Sequence, residues 1–372
     1  MRPYLKEKYG NAGTLYGLGR EAYDAINLAR NRVADMIGAS PDQIIFTSGG
    51  TEANNMVFCI TRELLSKSQK EFVLTSSVEH ESVIKAAKQW GNCNWPVFSV
   101  HPSSGGVVRC KDVFDKIDYA ATKGFNIGLI SVMYTNNETG VQNEVEKIGR
   151  ECRERGILFH TDCVQAVGCA NVNVDRLDCD FLSISSHKIH GPKGVGALYV
   201  RNKNALTPMI FGGENQEFGL RGGTENVAGI VGFGKACELL SNNSEYYKKL
   251  QGVFMENILR SMDERGLSTK RFHVNGSLEY NSGKTLSMRF DGADAETLVL
   301  LADANGVCIS AGSACKSRES KPSRVLTEIG LTAEEARSSI RMSLSSCNSE
   351  DDVIKGAEII VGCVANLVQA VM

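Results

Sequence analysis

The stretch DFLSISSHKIHGPKGVGALYV, residues 180–200, decides the fold. It reads as an apolar strand closing on Ser185, a turn through Ser186-His187-Lys188 and His190-Gly191-Pro192, and a second apolar strand over 197–200. Upstream, apolar runs at 44–47, 72–75, 127–133 and 157–160 alternate with helix-like segments such as 82–89 and 144–155. That alternation predicts an α/β domain with a mostly parallel sheet and helices on both faces. In such sheets ligands gather at the carboxyl ends of the strands.

Lys188 stands at such an end. Lysine is rarely buried unless paired or put to chemical use. One use that suits it is a Schiff base with pyridoxal phosphate, for which desolvation lowers the amine pKa and neighbouring hydroxyls hold phosphate. A surface lysine in a Gly/Pro loop is the plain alternative, so the other parts of such a site have to be found. Thr47-Ser48-Gly49-Gly50-Thr51-Glu52 follows a strand and opens a helix, which suits a phosphate cradle or an ordinary capped turn. Asp162, just past the 157–160 strand, suits a protonated pyridine nitrogen or a helix N-cap, and Gln165 lies one short turn on. His80 follows the 72–75 strand and can stack on an aromatic cofactor and move protons. Asn137, in Asn136-Asn137-Glu138-Thr139-Gly140, offers an amide to the cofactor or to a substrate carboxylate, or simply forms a turn. Their shared placement at one end of consecutive strands favours the joint reading.

Composition sets limits on the rest. The chain has 372 residues and a net charge of −2, so nothing favours nucleic acid or an anionic membrane as a direct partner. No apolar run has the length of a membrane span and no secretory segment is evident, so a cytoplasmic protein is expected. Twelve cysteines are scattered without a Cys-x-x-Cys pair, which argues against a structural zinc, and the length and lack of a signal segment argue against a disulfide framework; no metal is expected.

From about residue 240 the pattern changes to a long polar helix over 244–264, a strand over 285–290, a helix over 295–304, a short strand over 307–310 and a terminal amphipathic helix over 350–371. The expected division is a large cofactor domain over 16–240 and a small α+β domain over 241–372, with residues 1–15 a loop or part of the small domain. Two features of the second domain carry chemistry. Cys315 ends the small-residue segment Ala311-Gly312-Ser313-Ala314 and precedes a polar stretch, as an accessible nucleophilic thiol should. Arg341 interrupts the strand-like Ser339-Ile340-Arg341-Met342-Ser343, where an arginine suits capture of a carboxylate or a structural ion pair. Gly229-Ile230-Val231-Gly232-Phe233-Gly234-Lys235 imitates a P-loop, but Ala236 replaces the required hydroxyl and no strand precedes it. It reads as a helix whose glycines allow close packing.

With these residues in view, the chain resembles the pyridoxal-phosphate cysteine desulfurases of the class V aminotransferase group. The likeness is dense at TSGGTEANN (47–55), VEH (78–80), NNETG (136–140), HTDCVQAVG (160–168), SSHKIHGPKGVGALYV (185–200), GLRGGTEN (219–226), GSAC (312–315) and SSIRMSLS (338–345). GSAC before a long loop is similar to the iron–sulfur and nitrogenase-type branch. The resemblance implies a fold-type I enzyme, with a mostly parallel seven-stranded sheet and a smaller α+β domain. It implies pyridoxal 5'-phosphate held by Lys188, with Gly50, Thr51, Ser185 and His187 at the phosphate. Asp162 is then at the ring nitrogen, Gln165 and Asn137 at the ring hydroxyl, and His80 over the ring. Thr224 is implied to reach the phosphate of a second subunit, hence a homodimer. Arg341 takes the substrate carboxylate, and Cys315 takes sulfur from L-cysteine as a persulfide, releasing alanine. The implied recipient is a sulfur-acceptor protein: a cluster scaffold, a tRNA-thiolation enzyme or a DNA-phosphorothioation enzyme.

Relatives of this kind open with a Leu-Asp-x-Ala-Ala-Thr-Thr-Pro type segment, whereas Met1-Arg2-Pro3-Tyr4 falls inside what resembles the following helix, so an N-terminal segment is expected to be missing. Two alternatives stay open. One is another pyridoxal-dependent lyase, such as a selenocysteine lyase, or an aminotransferase. The other is a truncated, non-catalytic scaffold paralogue.

Overall fold

In a computed structural model the described residues are 1–65, 71–91, 96–203, 206–312 and 322–369. They divide into two compact units: residues 1–100, 109–134 and 144–242 form the first, and 101–108, 135–143 and 243–372 the second. Residues 1–15, read from the sequence as a loop or part of the small domain, therefore group with the first unit. They include a short helix, Arg2–Lys6. The two excursions 101–108 and 135–143 group with the second unit; no local pattern distinguishes them from loops of the first.

The first unit is built on a seven-stranded sheet of β1 (Ile44–Thr47), β2 (Glu71–Ser76), β3 (Val97–Val100), β4 (Asn126–Ser131), β5 (Leu158–Asp162), β6 (Phe181–Ser185) and β7 (Gly196–Val200). The order is β1-β7-β6-β5-β4-β2-β3. Strands β6, β5, β4, β2 and β3 pair in parallel, and β7 runs antiparallel to both β6 and β1. Strands β5 to β7 and β1 are buried along almost their whole length, which is why they read as continuous apolar runs and not as alternations. Helix Gly50–Leu65 lays Ala53, Met56, Val57 and Ile60 on the sheet, against Ile45, Val73, Leu129, Phe181 and Leu198. The imitation P-loop lies within helix Val227–Leu239. There a Cβ on Gly234 would come within 2.6 Å of Ala29 on helix Gly17–Ile37, so the glycine permits close helix packing.

The second unit carries a four-stranded antiparallel sheet of β8 (Phe272–Val274), β9 (Thr285–Phe290), β10 (Ser310–Ala311) and β11 (Ser339–Ser343), in the order β10-β11-β9-β8. Helix Ala295–Ala304 packs on β10 and β11 and against helix Glu350–Gln369, which packs in turn against helix Ser244–Glu264. Among the described residues no helix is long and apolar enough to cross a membrane.

Candidate active site

In the first unit the parallel strands deliver the expected groups at their carboxyl ends. Asp162 is the last residue of β5 and not an N-cap; its Oδ1 accepts from the Val164 N–H at 2.9 Å, closing an Asx turn. Its Oδ2 accepts from Asn54 Nδ2 at 2.8 Å. Burial pushes the Asp162 carboxyl up, while the Asn54 amide, the Val164 N–H and the charges of His80 and Lys188 pull the other way. Lys188 lies half-buried in the 3₁₀ turn Ser186–Ile189 directly after β6. Ser185, at the end of β6, places its Oγ 2.9 Å from His187 Nδ1. Partial burial, then the neighbouring Lys188 and Lys193 charges, lower the His187 pKa.

After β1 the chain turns sharply. Gly49 sits at φ 153°, and a Cβ on Gly50 would come 2.6 Å from Val164 Cγ2, so a side chain there would collide with Val164. Gly50 opens helix Gly50–Leu65 and Thr51 is exposed. Glu52 steadies the turn by accepting from the Ser48 N–H at 2.9 Å and from Arg221 Nε at 2.9 Å. Burial alone would raise the Glu52 carboxyl, but the Arg221 and Ser48 hydrogen bonds bring it below its usual range. Thr224 is exposed and shares a cleft of about 160 Å³ with Thr47, Ser48, Gly194, Arg221 and Asn226. Gln165 is half-buried, with its backbone carbonyl accepting from Cys169 Sγ at 3.0 Å.

His80 is exposed and borders an open pocket of about 650 Å³ with Thr51, Asn55, Ser82, Lys85 and Gln89. Its Nδ1 lies 2.7 Å from Ser82 Oγ and accepts from the Ser82 N–H at 3.2 Å. Ser82 Oγ in turn accepts from Asn54 Nδ2 at 2.8 Å. Neither Asn54 nor Ser82 was assigned a role from the sequence. Polar residues in helices ordinarily face solvent, and only the fold shows Asn54 to be buried. A second unforeseen support is Arg30, whose guanidinium bridges both Glu217 carboxylate oxygens at 2.7 and 2.8 Å and donates to the Ile44 carbonyl. Glu217 also accepts from the Phe46 N–H at 2.7 Å, and it holds a positive φ of 42°. This buried pair ties the 217–226 segment, which carries Thr224, to β1.

In the second unit Arg341 lies on β11, opposite Ser310 of β10 and Ser287 of β9. Its Nη1 donates to the Asn137 carbonyl at 3.0 Å, its Nη2 reaches Ser310 Oγ only at 3.4 Å, and its Nε is buried with no hydrogen-bond partner. The Asn137 side-chain Oδ1 is likewise buried and unmatched. An arginine has five donors, so this guanidinium keeps donors free for an anion. Cys315 lies outside the described residues.

The donor set of the first unit fits pyridoxal phosphate. Asp162 is a buried carboxylate with about four acceptor directions, of which two are filled, so a cationic N–H is the partner it lacks. The Gly49–Gly50 turn sets a helix start beside Ser185, and Ser185 and His187, which flank Lys188 in sequence, have donor groups that suit a phosphate.

The family model for aminotransferase class-V matches residues 1–355. Cysteine desulfurase IscS of Dictyoglomus turgidum is 38% identical over 357 residues, spanning 95% of this chain and 87% of that protein. A solved NifS-like protein superposes with a TM-score of 0.86 at 31% identity, covering 98% of this chain and 94% of that one. A structure described as SspA in complex with cysteine gives 0.78 at 33% identity, covering 92% and 93%.

Proposed function

The chain belongs to the aminotransferase class-V family, and on that premise we propose that it is a pyridoxal-phosphate-dependent cysteine desulfurase. The observation that carries the reading is the gathering of Lys188, Asp162 and His80 at one end of the parallel strands: Lys188 follows β6, Asp162 ends β5, and Asp162 is tied to His80 through Asn54 and Ser82. Names of relatives support the substrate: cysteine desulfurase for the Dictyoglomus protein and a cysteine complex for SspA.

Pyridoxal phosphate, when bound, supplies an aldehyde for amines and an electron-withdrawing ring that stabilises negative charge at the substrate α-carbon. Lys188 would hold the aldehyde and move the α-proton. Asp162 would keep the ring nitrogen protonated, and Gln165 and Asn137 would approach the ring hydroxyl. Gly50, Thr51, Ser185 and His187 would bind the phosphate, and Thr224 would reach that of a second copy in a homodimer. Arg341 would hold the α-carboxylate with the donors it has spare. His80, at the edge of the pocket, would exchange protons with the substrate thiol.

The sulfur chemistry balances without an outside oxidant. The Cβ–S bond of L-cysteine breaks, and Cβ gains hydrogen and becomes the methyl of alanine. The sulfur joins the Cys315 thiolate as a persulfide, so the carbon is reduced and the sulfur pair oxidised. The relatives' IscS naming favours a cluster-assembly protein as the recipient of that sulfur.

Incubation of the pyridoxal-loaded chain with L-cysteine and a thiol reductant tests the reading. One alanine per sulfide is expected, and none from the Lys188→Ala variant. Turnover of L-selenocysteine with none of L-cysteine would replace it with the selenocysteine lyase alternative.

A further inference from the structure

We propose that Asn54 and Ser82 are positioning residues that fix the tautomer of His80, so that its ring proton sits on Nε2 and Nδ1 stays an acceptor. The inference rests on His80 serving the proton transfers assigned above.

The direction of the network follows from its anchor. Asp162 accepts at both oxygens, from the Val164 N–H at Oδ1 and from the Asn54 amide at Oδ2, so the Asn54 amide turns its NH₂ toward Oδ2, at 2.8 Å. The second hydrogen of that NH₂ goes to Ser82 Oγ, also at 2.8 Å. With Oγ accepting from Asn54, the seryl hydrogen is directed to His80 Nδ1 at 2.7 Å. The Ser82 backbone N–H, which cannot reverse, points at the same nitrogen from 3.2 Å. Two donors converge on Nδ1, so the neutral ring carries its proton on Nε2.

A second observation shows that Asn54 is held in this orientation against an opposing preference. Asn54 is 1% exposed, and its Oδ1 is buried with no hydrogen-bond partner. Leaving an amide oxygen unmatched is unfavourable. The orientation persists because the reverse one would set that oxygen against the Asp162 carboxylate. Asp162, as an acceptor, thus determines through two side chains which nitrogen of His80 donates, and networks of this kind act as a unit.

The test is nitrogen NMR of the full chain labelled only at its six histidines, with and without bound pyridoxal phosphate, His80 being assigned from the signal lost in His80→Gln. The expected wild-type spectrum has a pyridine-like Nδ1 and a pyrrole-like Nε2 for His80. Ser82→Ala leaves only the long backbone bond and gives a tautomer mixture. Ser82→Thr, which keeps the hydroxyl, restores the wild-type pattern, and Asn54→Ala shifts the ring in the same direction as Ser82→Ala. In turnover, Ser82→Ala lowers kcat about fivefold at unchanged KM, the loss of one hydrogen bond's orientation, and Ser82→Thr recovers it. A wild-type ring protonated at Nδ1, or tautomer populations unmoved in Ser82→Ala, overturns the inference. Because the spectrum needs no substrate, a chain that fails to release alanine but shows the predicted tautomers refutes the desulfurase reading and not this one.

Discussion

His160 lies fully buried in the centre of β5, between Ser131 Oγ of β4 at 2.8 Å and Ser183 Oγ of β6 at 3.0 Å, with Phe58 edge-on to its ring at 6.5 Å. Burial drops its pKa from 6.5 to about 3. A depressed folded-state pKa means that the neutral ring contributes its full stability above pH 6.5. As pH falls below 6.5, the unfolded chain takes up a proton that the folded chain refuses, at about 1.4 kcal/mol per pH unit, until the folded ring itself titrates near 3. Between pH 7 and pH 5 this one residue therefore removes about 2 kcal/mol. His160→Gln keeps an amide able to bond both serines but does not titrate. Urea unfolding at pH 7 and pH 5, followed by fluorescence for both proteins, isolates the histidine, since the other titrating groups are common to both. The wild type is expected to lose about 2 kcal/mol more than the variant over that interval. Equal losses would refute the reasoning and mean that the ring is protonated or hydrated in the folded state.

Four further outcomes follow from the geometry. Lys188→Ala should remove the cofactor's visible absorbance and alanine formation while leaving the thermal midpoint of the cofactor-free protein unchanged. Asp162→Asn should slow alanine formation by about 100-fold or more, because a preorganised charge beside the ring nitrogen is lost; single-turnover rates measure it. Arg341→Ala should raise the KM for L-cysteine by about 10- to 100-fold with a smaller effect on kcat, the range expected for charge-assisted hydrogen bonds to a carboxylate. Arg30→Ala should destabilise the first unit by about 3–5 kcal/mol in urea unfolding, since it strands Glu217 as a buried, unpaired carboxylate.

Most strands were legible because their burial is so complete: 44–47 and 181–185 read as uninterrupted apolar runs and fold as β1 and β6 with those limits. Val97–Val100 was not legible. It is four residues between Pro96 and Pro102, and only its parallel pairing with β2 makes it a strand. The sequence reads a strand ending at His160 with Asp162 just past it, whereas β5 runs two residues further and ends on Asp162, because a carboxylate inside a buried strand contradicts β propensity unless something satisfies it. That something includes Asn54, which comes from a helix 108 residues away in sequence and leaves no local signal. The same holds for Arg30 and Glu217, 187 residues apart. Chemistry-bearing residues at strand ends were therefore readable, and the groups that orient them were not. The positive φ at Glu217 and Phe218 had no glycine to announce it.

The central claim is that sulfur leaves cysteine for a thiol of this chain, and protein-bound persulfide measures it most directly. The pyridoxal-loaded protein is mixed with L-cysteine without reductant, alkylated, digested and analysed by mass spectrometry, beside Cys315→Ala. The account predicts one added sulfur on the Cys315 peptide together with one alanine, and neither persulfide nor rapid alanine release from Cys315→Ala. Alanine formed at the wild-type rate by Cys315→Ala, or alanine without persulfide on the unaltered chain, would contradict it.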